Sequence, residues 1–164
     1  MKTSALLRRG VGTMSVDIKE TNLTFNSLSE RSYTDMVVIH HTGCNDIDAS
    51  AEQIHGWHLG NGWSGIGYHY VIRKDGTIER GRPEWAIGSH AYGENSHSIG
   101  IHLSGDFNAA YPTDKQIEMT SMLVAMLCDK YREKNTQPDP GYRSGWKYDG
   151  QKKNCSFHKI GRAS

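Results

Sequence analysis

The sequence has no apolar run long enough to cross a membrane or to form the core of a secretory signal. The longest apolar run near the start is Ala5–Leu7, and Arg8 and Arg9 follow it directly. A membrane-spanning helix needs about 20 apolar residues, and the apolar region of a signal peptide needs about 7–15. We therefore expect no membrane span, no secretory signal and a cytoplasmic protein that another route must release.

Charge of one sign and cysteine are also scarce. The 19 Lys and Arg residues balance 18 Asp and Glu residues, which leaves a net charge of +1. Such a chain lacks the basic footprint with which proteins bind nucleic acid or an anionic membrane, so we expect no nucleic-acid partner. The cysteines are odd in number and scattered at Cys44, Cys128 and Cys155. This spacing excludes a disulfide framework and favours thiols in a reducing compartment.

Histidine is the residue that the sequence has in excess. There are nine histidines among 164 residues, a length that fits one domain with a sizeable core. Imidazole is a frequent metal ligand and the side chain that titrates nearest neutral pH. The question is therefore whether the histidines come together.

The pattern of apolar residues predicts a single α/β domain. Residues 1–21 show no sustained periodicity and are expected to form a flexible arm before a domain over 22–164. Strands are predicted at 35–41, 68–73, 77–80 and 98–103, with a hairpin turn at Asp75-Gly76. Helices are predicted at 50–59 and after Thr113, where Thr113 and Gln116 form a capping-box pattern. The segment 135–164 is loop-rich and divergent, with little aliphatic sequence.

Two adjacent histidines, His40 and His41, end the first predicted strand. Neighbouring side chains on a strand point to opposite faces, so only one of them can face a given site. Together with a distant cysteine, such a histidine can supply a zinc site. The spacing alone leaves open that both are ordinary core or surface histidines.

A series of short motifs resembles one family closely. The motifs occur in the family's order over about residues 22–131, and the series is specific to the zinc-dependent N-acetylmuramoyl-L-alanine amidases, which include the T7 lysozyme-like enzymes and the peptidoglycan recognition proteins. They are Val38-Ile-His-His-Thr42, Gly62-Trp-Ser-Gly-Ile-Gly-Tyr-His-Tyr-Val-Ile72, Asp75-Gly-Thr, Gly81-Arg82, Ile87-Gly-Ser-His90, Asn95, Ser98-Ile-Gly-Ile101 and Gly105-Asp-Phe107.

The resemblance implies a mixed central β-sheet flanked by α-helices and a groove for peptidoglycan. The implied reaction is hydrolysis of the amide between N-acetylmuramic acid and the L-alanine of the stem peptide, with Zn²⁺ as cofactor. It further implies a bacteriolytic role as a phage or prophage endolysin. A monomer that remains in the cytoplasm until its release to the cell wall is expected.

Site residues carry over from the family position by position. By resemblance His40 and Cys155 are zinc ligands, and Tyr68 and Lys153 are catalytic. Tyr68 would position water and Lys153 would stabilise developing negative charge. The alternative for Tyr68 is a tyrosine of the core, and the alternative for Lys153 is a lysine exposed to solvent. The implied substrate contacts, for which structural roles are the alternative, are His90, Asn95 and Trp63.

The pattern departs from the family at the remaining zinc ligand. Tyr142 stands where the family has a second zinc histidine, and a phenol with a pKa of about 10 ligates zinc poorly near neutral pH. Three explanations for the missing histidine stay open. Either Tyr142 is a true substitution, or a rearranged loop lets His158 serve instead, or the tail is truncated or misread. A catalytically inactive peptidoglycan-binding module is therefore the alternative function. We expect the other histidines to occupy surface or core positions: His55, His58, His69, His97 and His102.

Overall fold

The protein is described by a computed structural model over residues 2–7, 14–43 and 46–134. Within these ranges the chain forms three strands, a helix, three further strands and a long helix, in that order. They are β1 (Lys2–Leu7), β2 (Met14–Lys19), β3 (Met36–His41), α1 (Ala51–Gly60), β4 (Tyr70–Ile72), β5 (Ile78–Arg80), β6 (Ser98–Leu103) and α2 (Asp114–Lys134).

The six strands form one mixed sheet in the order β1-β2-β5-β4-β6-β3. The β4–β5 hairpin is antiparallel, as its Asp-Gly turn predicts. Strands β3, β6 and β4 run parallel, so their carboxyl ends meet at one edge of the sheet. Ligand sites of open α/β sheets form at this edge.

Each face of the sheet packs against a different helix. Because side chains alternate along a strand, Tyr70 and Ile72 face one way and Val71 the other. The first face packs on α2 through a core that includes Leu123 and Leu127. The second face packs on α1 through a smaller core that includes Val71 and Ile54. The smaller core leaves room on the α1 face for polar side chains.

Both helices begin at capping boxes. Ser50 and Gln53 satisfy the first turn of α1, and Thr113 and Gln116 do the same for α2. The start of α1 is also held on the sheet, because the Ala51 amide donates to a carboxylate oxygen of buried Glu79 at 2.7 Å. This bond fixes where α1 crosses the second face.

The predicted strands, hairpin and helices are confirmed, whereas the flexible arm expected over residues 1–21 does not hold for the residues described there. Residues 2–7 and 14–19 form β1 and β2, and β2 pairs in parallel with β5. Val16 and Ile18 are buried in the core against α2. Alternating Val16 and Ile18 give only a short apolar pattern, so their place in the sheet depends on pairing with a distant strand. No helix in the described ranges is long and apolar enough to cross a membrane.

Candidate functional site

His40 and His41 point to opposite faces of the sheet, as their adjacency predicts. The His41 ring stacks on Phe107 with a centroid separation of 5.4 Å, and its Nδ1 accepts from the Phe107 amide. His40 is buried on the α1 face, near the carboxyl end of β3. Of the pair, His40 is therefore the residue that meets the other site candidates.

Tyr68 lies at the centre of a cluster of aromatic rings on this face. Its ring centroid is 5.2 Å from that of His40 and 4.7 Å from that of His102. His58 of α1 lies 5.7 Å away. The structure thus brings together His40 and Tyr68, the two predicted site residues that come from separate strand motifs.

His90 sits deep beside His40. Its Nδ1 lies 3.0 Å from Nε2 of His40, and its Nε2 lies 3.3 Å from the Ser98 hydroxyl. The ring lies against two glycines: a Cβ added to Gly88 or Gly100 would approach a ring carbon to 2.4 or 2.5 Å. With 4% of its surface exposed and both nitrogens engaged, His90 supports His40 and has little surface to offer a substrate.

Asn95 holds the loop that carries His90. Its side-chain oxygen accepts from the amides of His90 and Ala91 at 2.7 and 2.9 Å. The backbone carbonyl of Asn95 also accepts from the Gly88 amide at 3.2 Å. This geometry favours the structural alternative for Asn95, since its oxygen is occupied by the backbone.

Trp63 lies at the margin of the cluster. Its ring is 4.5 Å from that of His58, and about a third of its surface is exposed. An exposed aromatic ring next to a buried polar cluster is suited to stack on a sugar. Its role as a substrate contact stays a prediction.

His102 is a further candidate for the site, which the sequence analysis placed only at a surface or core position. It pairs in register with His40 across β6 and β3, so the two side chains share one face. His102 is buried, and its Nδ1 has no hydrogen-bond partner among the described residues. The alternation Ile101, His102, Leu103 marks it as facing away from the α2 core, but only the strand order places it beside His40.

Burial keeps the surrounding imidazoles neutral and the phenol protonated. Burial is the main cause that lowers the pKa of His58 to about 4, of His102 to about 3 and of His90 to about 2. Burial also raises the pKa of the Tyr68 phenol. At neutral pH the cluster therefore offers nitrogen lone pairs and one hydroxyl proton, the donor chemistry that a zinc site uses.

Three predicted residues lie outside the described part of the chain: Tyr142, Lys153 and Cys155. Within the described ranges, no group of three His, Cys, Asp or Glu side chains is arranged to hold a metal ion. The paired His40 and His102, with the orphaned Nδ1 of His102, fit part of a zinc site. A zinc site at this place would need a further ligand from outside the described residues.

The fold and the cluster define an α/β domain with a buried cluster of histidines and one tyrosine on the α1 face of a mixed sheet. The chain belongs to the N-acetylmuramoyl-L-alanine amidase family, which it matches over residues 30–156. This membership confirms the resemblance seen in the motifs and the fold class that it implies.

Named relatives come from phages, bacteria and insects. The chain is 36% identical over 105 residues to the endolysin of Escherichia phage T7, covering 60% of this chain and 70% of that protein. It is 35% identical over 101 residues to peptidoglycan-recognition protein SC2 of Drosophila melanogaster, covering 57% and 55%. Its fold is similar to that of the endolysin amidase LysCS of Clostridium intestinale, at 46% identity and a TM-score of 0.67 over 70% of this chain and 75% of that chain.

Proposed function

We propose that the chain is a zinc-dependent peptidoglycan hydrolase that cleaves the amide between N-acetylmuramic acid and L-alanine. The observation that carries the proposal is the placement of His40 beside Tyr68 on the α1 face of the sheet, with ring centroids 5.2 Å apart. Both residues lie inside the region that matches the amidase family. The endolysin relatives support the hydrolytic activity.

Zinc, when bound, would supply a Lewis acid for the amide carbonyl and would acidify a water molecule. Among the described residues His40 would hold the ion, with His102 next to it in register. Cys155 is the further ligand that the family resemblance implies, and Tyr142 occupies the position of the missing histidine.

The protein's own groups contribute orientation and proton donation. Burial keeps the Tyr68 hydroxyl protonated, so it can donate a hydrogen bond to a water oxygen or to the substrate carbonyl. Lys153, by resemblance, stabilises the negative charge that develops on that carbonyl oxygen. Trp63 at the margin offers an apolar face to a sugar ring.

The test compares zinc content and product formation in two neighbouring histidine variants. His40→Ala should lose both zinc and the release of L-alanine-terminated peptides from muropeptides, followed by mass spectrometry. His41→Ala is the matched control because His41 faces the opposite side of the sheet, against Phe107, and it should retain both. Hydrolysis by His40→Ala at the wild-type rate would contradict the proposed centre.

A non-catalytic peptidoglycan-binding module is the second candidate. Tyr142 in place of a zinc histidine favours it, and it predicts muropeptide binding without zinc uptake or product. Isothermal titration with muropeptide, run on the same samples, separates the two functions. Binding without hydrolysis in zinc-supplemented wild-type protein would replace the enzyme proposal with the module.

The proposal includes a role as a phage-type lysin that reaches the cell wall on release. Its support is the similarity to phage endolysins. Turbidity loss of a peptidoglycan suspension tests the lytic activity, and light scattering tests the expected monomer. If the turbidity of the peptidoglycan suspension does not fall at protein concentrations that hydrolyse soluble muropeptide, the lytic role is contradicted.

A further inference from the structure

We propose that His90 and Ser98 set the tautomer of His40, so that Nδ1 is the His40 nitrogen that binds the metal. The inference rests on the proposed zinc function and assigns His90 as a positioning residue. It follows from a chain of hydrogen bonds whose direction is fixed at its far end by a backbone carbonyl. The chain runs from Glu94 through Ser98 and His90 to His40.

The far end of the chain admits one direction only. The Ser98 hydroxyl lies 2.6 Å from the Glu94 carbonyl oxygen, which can only accept, so the hydroxyl proton is donated there. Ser98 Oγ is then an acceptor for its second neighbour, Nε2 of His90, at 3.3 Å. His90 therefore carries a proton on Nε2.

The direction passes on through His90 because its ring is neutral. The ring is 4% exposed and packed against Gly88 and Gly100, so a charged imidazolium there would be cut off from water. A neutral imidazole with a proton on Nε2 has a lone pair on Nδ1. At 3.0 Å, this Nδ1 accepts from Nε2 of His40. In its neutral form His40 then has its only lone pair on Nδ1.

The packing keeps His90 in the orientation that this chain requires. The ring is enclosed between Gly88 and Gly100, at distances that no Cβ would allow. The backbone amide of His90 is held by Asn95 at 2.7 Å. A hydrogen bond to the non-ligating nitrogen of a zinc histidine is the kind of support that typically changes metal affinity by about 10–100-fold when removed.

The direct test is the tautomer of each imidazole in the metal-free wild-type protein. Long-range proton–nitrogen NMR on nitrogen-15-labelled protein at neutral pH distinguishes the two forms. Resonances are assigned by their loss in His40→Ala and His90→Phe. We expect both His40 and His90 to be protonated at Nε2. A His40 ring protonated at Nδ1 would overturn the proposal, whether or not the protein binds zinc.

Zinc affinity, measured by competition with a chromophoric chelator, gives the second test. His90→Phe keeps a flat ring between the glycines but has no acceptor, so the zinc Kd should rise by about 10–100-fold. His90→Asn places an amide oxygen near the position of Nδ1 and should recover most of the affinity. His97→Gln is the matched control, because His97 pairs with Asp35 and stacks on Tyr33.

Ser98→Ala keeps the proposal testable if a His90 variant fails to fold. It removes the acceptor for His90, and we expect His40 to show a mixture of tautomers and a weaker zinc affinity. Unchanged tautomers in Ser98→Ala, or wild-type zinc affinity in a folded His90→Phe, would leave His90 as a packing residue only. Failure of the wild type to bind zinc would refute the proposed function but not the tautomer assignment.

Discussion

Gly100→Ala tests whether the site depends on a missing side chain in the centre of the sheet. Gly100 lies within β6, and a Cβ at this position would come within 2.5 Å of two carbon atoms of the His90 ring. Ordinary carbon contacts need about 3.5 Å, so the ring must shift by about 1 Å. The backbone of Gly88 already packs closely on the same ring, since a Cβ added there would lie 2.4 Å from it. The His90 ring therefore has little room to shift.

The expected cost follows from these contacts. Overpacking a core typically costs about 1–3 kcal/mol, and replacing a strand glycine with alanine returns about 0.5–1 kcal/mol. We expect a net loss of about 1–2 kcal/mol, which lowers Tm by roughly 2–8 °C in a domain of this size. Gly56→Ala is the matched control. No atom lies within 4 Å of its added Cβ on α1, so this variant should be as stable as the wild type or more stable.

Measuring Gly100→Ala in the His90→Ala variant as well as in the wild type tests whether contact with the His90 ring causes the loss of stability. In His90→Ala the ring is gone, so adding Gly100→Ala should cost little, and the two changes should couple by about 1–2 kcal/mol. The assay is thermal unfolding of metal-free protein followed by circular dichroism. An equal loss of stability from Gly100→Ala in both backgrounds, or no loss in the wild-type background, would refute the reasoning.

Three further predictions concern acid stability, the second helix and the reaction. Burial alone would raise the pKa of Glu84, but hydrogen bonds from Lys130, Tyr131 and Tyr70 outweigh it and lower the pKa from 4.5 to about 2. Its contribution of up to about 3 kcal/mol is therefore full above pH 4.5 and lost as the pH falls toward 2, and urea unfolding of Glu84→Gln should show a weaker acid dependence. Thr113→Ala removes the cap of α2 and should cost about 1 kcal/mol in thermal unfolding, whereas Thr113→Ser should not. Tyr68→Phe should retain zinc but lower kcat for muropeptide hydrolysis by roughly 10²-fold, and an unchanged kcat would remove Tyr68 from the reaction.

The parts of the fold that short-range patterns specify were predictable. The Asp75-Gly76 turn determines the hairpin, and the capping box at Thr113 determines where the second helix starts. The opposite directions of His40 and His41 follow from strand geometry alone. The motif series placed Tyr68 at the same site as His40, and the structure brings the two rings to 5.2 Å.

The missed features depend on contacts between distant segments. Val16 and Ile18 carry too short an apolar pattern to be recognised as core, and β2 acquires its place only by pairing with β5. His102 looks like any polar residue of a strand until the register sets it opposite His40. The role of Asn95 likewise depends on which backbone amides approach its oxygen.

The sequence by itself determined the local elements and the candidate groups of the site, because turns, caps and motifs act within a few residues. The tertiary structure alone decided how those groups support each other. A gap left by Gly88 and Gly100 admits the His90 ring, and that ring meets His40 from 50 residues away. Such a contact has no local signature, since it exists only once the strands have paired and the loop has closed over them.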